Sequence, residues 1–216
     1  MVKVESIVFN PYQENTYIVS DETREAIIID PGCADLGEQE RLRSFVRERE
    51  LNVVGMVLTH GHFDHLCGSK FVCDTYHLKP VCHSAEVPLV RQAATQGSLF
   101  GFDVAPPPEP IHMVAEDDSI SFGSNHLKVI HTPGHSPGSI SLYSKENHFV
   151  IVGDVLFQGS IGRTDLPGGD YEVLMASIHQ KLLPLGNEVI VYPGHGPSTD
   201  LGHERRFNPF IEKPSW

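Results

Sequence analysis

The chain has 216 residues and a formal charge of −12, with 28 acidic against 16 basic side chains. That balance excludes the broad basic footprint of nucleic-acid binders, and no stretch approaches the ~20 apolar residues of a membrane span. A 40% hydrophobic content with 11 Phe and 6 Tyr supplies a sizeable core, and the expected organisation is one domain over 1–216.

Residues 2 to 9 are strand-like and end at Asn10-Pro11, where proline breaks the run. Tyr17–Val19 and Ala26–Ile29 form the next two strands around a polar turn, and the second stops at Asp30-Pro31-Gly32. From Leu36 to Leu51 the pattern becomes helical, with Leu42, Phe45 and Val46 on one stripe and a solvated, charge-rich face opposite. The β-branched run Val53–Leu58 is a buried strand. A helix over 66–76, a strand over 81–83 and a helix over 85–94 follow, and then an exposed loop over 95–110 containing Pro106-Pro107-Pro108. Strands over 120–122, 127–130, 139–142 and 149–152 come next. The helix over 171–183 starts at the candidate cap Asp170, and a strand over 188–192 and a short helix over 199–207 complete the order. The elements therefore alternate as in an α/β protein. The 4 cysteines, Cys33, Cys67, Cys73 and Cys82, form no Cys-x-x-Cys pair and are too few for a disulfide framework. Since the segment Met1–Ser6 also lacks an apolar signal core, a soluble cytoplasmic protein is expected.

Between the strand ending at Leu58 and the helix that follows lies Thr59-His60-Gly61-His62-Phe63-Asp64-His65. Imidazole nitrogens and a carboxylate are the donors that borderline dications such as zinc prefer. On extended backbone His60 and His62 point the same way, because side chains alternate with period two. Asp64 and His65 follow on the turn into the helix. A closed structural zinc site favours cysteine-rich sets of four, whereas a carboxylate in a glycine-flanked loop suits an open site.

Further along, apolar strands end repeatedly in glycine- or proline-rich turns carrying a ligand-type side chain: His131-Thr132-Pro133-Gly134-His135, Val152-Gly153-Asp154 and Tyr192-Pro193-Gly194-His195-Gly196, with Gly159–Arg163 of similar form. Layered α/β scaffolds place reactive groups on loops at strand ends in this way. Asp30 and Thr59, at two strand ends, are candidates for fixing the imidazole tautomers, with a simple turn-stabilising role for Asp30 as the alternative. Cys67, at the start of a helix, is expected to pack rather than to bind metal.

Together, THGHFDH, TPGHSPG, GDVLF and YPGHGPS resemble the metallo-β-lactamase superfamily of hydrolases in order and spacing over nearly the whole chain. GRTDLPGGD and the tail PGHGPSTDLGHERRFNPF resemble its short bacterial glyoxalase II-like members, which lack the helical carboxyl-terminal domain of the larger enzymes. The resemblance implies an αββα sandwich of two mixed sheets flanked by helices. It implies one metal on His60, His62 and His135, a second on Asp64, His65 and His195, and Asp154 bridging them. Two divalent ions per chain follow, zinc first, with iron or manganese as alternatives. The implied activity is hydrolysis of a small-molecule thioester such as S-lactoylglutathione, with Asp64 orienting the attacking hydroxide and Arg163 contacting the thiol carrier's carboxylate, a plain structural ion pair being the alternative for Arg163. No nucleic-acid or membrane partner is expected. The alternatives are a mononuclear iron persulfide dioxygenase of the same superfamily, using His60, His135 and Asp154, and a non-catalytic module that binds acyl-thiols. β-Lactam hydrolysis is disfavoured, because one major zinc lactamase class has Cys at the position of Asp154.

Overall fold

The computed structural model describes residues 1–109 and 111–211. The first half runs β1 (Lys3–Phe9), β2 (Glu14–Ser20), β3 (Glu25–Ile29), α1 (Leu36–Glu48), β4 (Asn52–Val57), α2 (Phe63–Leu66), α3 (Ser69–Tyr76), β5 (Pro80–His83), a 3₁₀ turn, α4 (Val87–Arg91), α5 (Ala93–Leu99) and β6 (His112–Val114). The second comprises β7 (Ser119–Phe122), β8 (Asn125–His131), β9 (Ile140–Ser144), β10 (Phe149–Gly153), β11 (Leu156–Phe157), β12 (Ser160–Ile161), α6 (Tyr171–Ser177), β13 (Ile190–Pro193), β14 (Thr199–Asp200) and α7 (Leu201–Phe207). Asp170 caps α6 by accepting from Val173 N.

One six-stranded sheet has the order β1-β2-β3-β4-β5-β6 and the other β14-β13-β10-β9-β8-β7. Both are mixed. The first is antiparallel from β1 to β3 and parallel from β3 to β6; in the second only the β10/β13 pair is parallel.

Strand alternation explains the layers. In β2 and β3, Tyr17, Val19, Ile27 and Ile29 face the second sheet, where Leu127, Val129, Leu142 and Ile151 meet them. Ile18 and Ile28 point the opposite way, to Leu42 and Val46 of α1 and Val72 of α3. On the far side of the second sheet, Val150, Val152 and Val191 pack on Leu174, Ile178 and Leu201. The result is helix, sheet, sheet, helix, the αββα sandwich expected. Among the described residues no helix is long and apolar enough to cross a membrane.

Several boundaries differ from the sequence reading. The motif after β4 forms its own short helix, α2, before α3. The expected loop from 95 begins inside α5, which Gln92 separates from α4; its last residue, Pro110, lies outside the described residues. β6 is a three-residue edge strand held by parallel pairing to β5, too short to carry a periodic signal. The helix expected over 171–183 keeps α-geometry only to Ser177 and continues as a π turn to Leu182.

Candidate metal centre

Every ligand-type residue singled out by spacing sits at the carboxyl end of a strand or just beyond it, along one edge of the sandwich. β4 delivers His60 and His62, α2 carries Asp64 and His65, and β8, β10 and β13 lead to His135, Asp154 and His195. The donor atoms of His60, His62 and His135 lie within 4.8 Å of one another, as do those of Asp64, His65 and His195. Asp154 stands between these triads. Its Oδ2 is 3.7 Å from His135 Nε2 and 3.6 Å from His195 Nε2, and its Oδ1 is 3.5 Å from His65 Nε2.

Four of the five imidazoles have their remote nitrogen tied to the protein. His135 Nδ1 donates to Arg163 O at 2.8 Å and His195 Nδ1 to Tyr12 O at 3.0 Å. His65 Nδ1 donates to Asp30 Oδ2 at 3.1 Å. His60 Nδ1 donates to Thr59 Oγ1 at 3.0 Å, and that hydroxyl passes its own proton to Asp30 Oδ2 at 2.5 Å. Carbonyl and carboxylate acceptors leave only one tautomer, with the Nε2 lone pair turned to the centre. Asp30 thus orients two ligands at once, and it also accepts from Thr59 N at 2.6 Å. It holds this position with a φ of 50° at the end of β3, a conformation that Asp tolerates better than most side chains.

This donor set fits metal ions. Two nitrogen lone pairs, His65 Nε2 and His195 Nε2, face each other at 3.3 Å and need a cation or a proton between them. His60 Nε2 and Asp154 Oδ1 are buried with no hydrogen-bond partner, a costly state for polar atoms unless something coordinates them. Burial, then neighbouring His65, drives His60 well below the ordinary imidazole range. Burial and His135 lower His62 to about 4. Burial pushes Asp154 up, but His65 and the other imidazoles outweigh it and hold the carboxyl well below its usual range. Burial lowers His65 as well, yet the Asp154 and Asp64 carboxylates pull it well above. The centre combines neutral imidazoles, ionised carboxylates and two sites that attract positive charge, the electrostatics of a cation site.

Close approach is built into the backbone. A Cβ at Gly194 would stand 2.2 Å from Asp154 Oδ1, and one at Gly153, whose φ is 52°, would stand 2.3 Å from Thr59 Oγ1. Neither position accepts a side chain without displacing the centre.

The sequence did not single out Glu86. Its carboxylate is fully buried and accepts from Gly61 N at 2.7 Å, Ser136 Oγ at 2.7 Å and Gly138 N at 2.5 Å. It therefore ties the loop of His60 and His62 to the loop of His135. Asn15 was missed too; its Nδ2 donates to Pro193 O and Gly196 O and so frames His195. Neither residue belongs to a local motif, because their partners are distant in sequence. Cys67 turns away from the centre and donates to Phe63 O at 3.3 Å, with burial pushing its thiol up to about 12. Arg163 reaches the centre through its carbonyl. Its guanidinium is exposed and pairs with Asp165 at 2.7 and 2.8 Å.

A two-sheet sandwich with clustered imidazoles and carboxylates at one edge defines a metal-dependent hydrolase. The chain belongs to the metallo-β-lactamase superfamily, whose family model matches residues 9–195. It is 41% identical over 204 residues, 93% of each chain, to a probable metallo-hydrolase of Bacillus subtilis, YqgX. It is 37% identical to the hydroxyacylglutathione hydrolase GloC of Haemophilus influenzae, covering 99% of this chain and 100% of that one. Among solved structures it is similar to the B3 metallo-β-lactamase BLEG-1 (39% identity, TM-score 0.89, 99% and 100% covered). It is also similar to TTHA1623, solved in a di-iron-bound form (38% identity, TM-score 0.87, 96% and 100% covered).

Proposed function

We propose that the chain is a binuclear thioester hydrolase. The observation that carries this reading is the pair of triads sharing Asp154, with two buried donor atoms facing the space between them. His60 Nε2, His62 Nδ1 and His135 Nε2 would hold one ion; Asp64, His65 Nε2 and His195 Nε2 the other; Asp154 both. Zinc is the proposed metal, since imidazole and carboxylate donors suit it and it tolerates a thiolate product. Bound there, two dications supply a water nucleophile at neutral pH and polarise the scissile carbonyl.

The protein's own residues do the rest. Asp64 is buried and lies 3.3 Å from His195 Nε2 through Oδ2. Burial raises its pKa, but His65 and His195 outweigh this and keep it ionised, so it accepts a hydrogen bond from the water and orients it. The water oxygen bonds to the carbonyl carbon, the carbon–sulfur bond breaks and the thiolate leaves with the bonding pair; the water's protons end on the carboxylic acid and thiol products or in solvent. A thiolate is a good leaving group, so no separate proton donor is required. Arg163, released from Asp165, binds a carboxylate of the thiol carrier. The stretch GRTDLPGGD and the name of the Haemophilus relative support a glutathione thioester over other acyl compounds.

The likeness to BLEG-1 favours a second reading, β-lactam hydrolysis, by the same donor set. The test is direct: protein loaded with about two ions per chain is assayed against acyl-glutathiones and β-lactams in parallel. Cleavage of a thioester is expected. Cleavage of β-lactams alone, or of neither class, overturns the thioester reading.

A further inference from the structure

Four aromatic rings meet beside the centre. Phe63 stacks on Phe100 at 4.9 Å and 10°, and Tyr12 stands edge-on to Phe63 at 5.3 Å. Phe102 closes the group at 5.3 Å from Phe63 and 5.7 Å from Tyr12. Phe63 forms a floor that is 6% exposed, whereas Tyr12 and Phe100 form a rim exposed by 44 and 54%; Leu99, next to Phe100 in the chain, is 78% exposed. Contiguous large apolar groups left in water carry a cost that a monomer usually avoids unless something covers them.

The cluster is fastened to the centre at three points. Phe63 lies between His62 and Asp64 in the chain. Tyr12 gives its carbonyl to His195 Nδ1. Gln96 on α5 donates to Gly61 O at 3.1 Å, which ties the helix carrying Leu99 to the His60–His62 loop. Arg163, by contrast, is attached to His135. Tyr12 thus joins the uncharged aromatic surface to the Asp64, His65 and His195 triad, whereas the backbone of Arg163 joins the His60, His62 and His135 triad. A charged thiol carrier has no partner on the aromatic surface, where its ionic groups would lose water without compensation.

Resting on the thioester reading, we infer that Tyr12, Phe63, Leu99, Phe100 and Phe102 form the acyl subsite, and that it selects apolar and aryl acyl groups. The carrier then lies toward Arg163. Such a surface gains with each buried methylene or ring contact but gives nothing to the hydroxyl of a lactoyl group.

The test uses metal-loaded protein and a series with glutathione as the constant thiol: acetyl, lactoyl, hexanoyl and phenylacetyl. The expected kcat/KM for the phenylacetyl and hexanoyl esters exceeds that for acetyl by about tenfold or more. Phe100→Ala should compress that ratio to within about threefold, Phe100→Leu should restore part of it, and Leu99→Ser, at a more exposed position, should lower it independently. Calorimetric titration with phenylacetate and acetate reads the subsite without turnover; wild type should prefer phenylacetate and Phe100→Ala should not. A flat acyl series overturns the inference, as does a ratio that Phe100→Ala leaves unchanged while its melting temperature matches wild type. An altered oligomeric state with an unchanged ratio also overturns it, by making the patch a contact between two copies. If no thioester is cleaved but the phenylacetate preference depends on Phe100, the subsite stands and the thioester reading falls.

Discussion

Residues 60 to 65 and the trio His135, Asp154 and His195 face the same small volume, but they are held there differently. In the first set, His60 and His65 are fixed by one nearby carboxylate, Asp30, at the end of the strand next to their own. The second set is fixed from other elements: His135 by the Arg163 carbonyl, His195 by the Tyr12 carbonyl at the other end of the chain, the His135 loop by Glu86, which also holds Gly61 of the first set, and the His195 loop by Asn15. The contiguous half is a local motif braced from the neighbouring strand of its own sheet. The dispersed half exists only once the sheets have docked, so its geometry depends on the tertiary fold.

The largest effect should come from the residue that belongs to both sets. Asp154→Ala removes the shared carboxylate, and metal analysis should show fewer than two ions while hydrolysis falls by roughly 10³ or more; full activity with two ions would show that the halves do not depend on it. Asp30→Ala should be next. With the brace of His60 and His65 gone, affinity for metal should drop by about 10- to 100-fold, measured by competition with a chelator. Glu86→Gln probes the link between the halves. Its amide can no longer accept from all three donors, so the His60, His62 and His135 set should lose about tenfold in affinity while the Asp64, His65 and His195 set is spared; spectra of the cobalt-substituted protein distinguish the two positions. Equal loss at both would mean that Glu86 only supports the fold.

The smallest effect lies away from the centre, where the β2–β3 turn meets the β7–β8 turn. Asp21 accepts from Thr23 Oγ1 at 2.5 Å, Ser124 N at 2.8 Å, Asn125 Nδ2 at 2.8 Å and Thr23 N at 2.9 Å. Burial pushes its carboxyl up, but these bonds outweigh it and lower the pKa from 3.8 to about 2. A depressed carboxyl contributes stability above its unfolded value, and that contribution is lost as pH falls from about 4 toward 2. Metal-free wild type should therefore lose its thermal advantage over Asp21→Asn across that window. A constant difference between pH 6 and pH 2 would contradict the assignment.

The contrast between the halves also explains what could be read from the sequence. THGHFDH was legible because its four donors are nearly contiguous, and strand alternation with the following turn places them in one loop. His135, Asp154 and His195 were legible only as a recurrence, each a ligand-type side chain in a turn after an apolar strand, made specific by family resemblance. The layers followed from alternating runs such as Tyr17–Val19 and Ala26–Ile29. Glu86 was not legible: it lies in a short turn before α4, and its acceptor role appears only when Gly61 and Gly138 converge on it. The Tyr12 and Arg163 carbonyls were invisible for a related reason, since any residue type supplies the same atom. α5 and β6 escaped because tertiary pairing, rather than periodicity, sustains such short elements.

In the proposed reaction both halves act together on two ions to cleave a thioester. Metal content and acyl-glutathione hydrolysis, measured on one preparation as ions are added back, test it most directly. Activity should follow occupancy to about two ions per chain, and Asp64→Ala should stop the titration near one with turnover lost. Full activity at a single iron, with oxygen consumed in the presence of glutathione persulfide and no thioester cleaved, would contradict it.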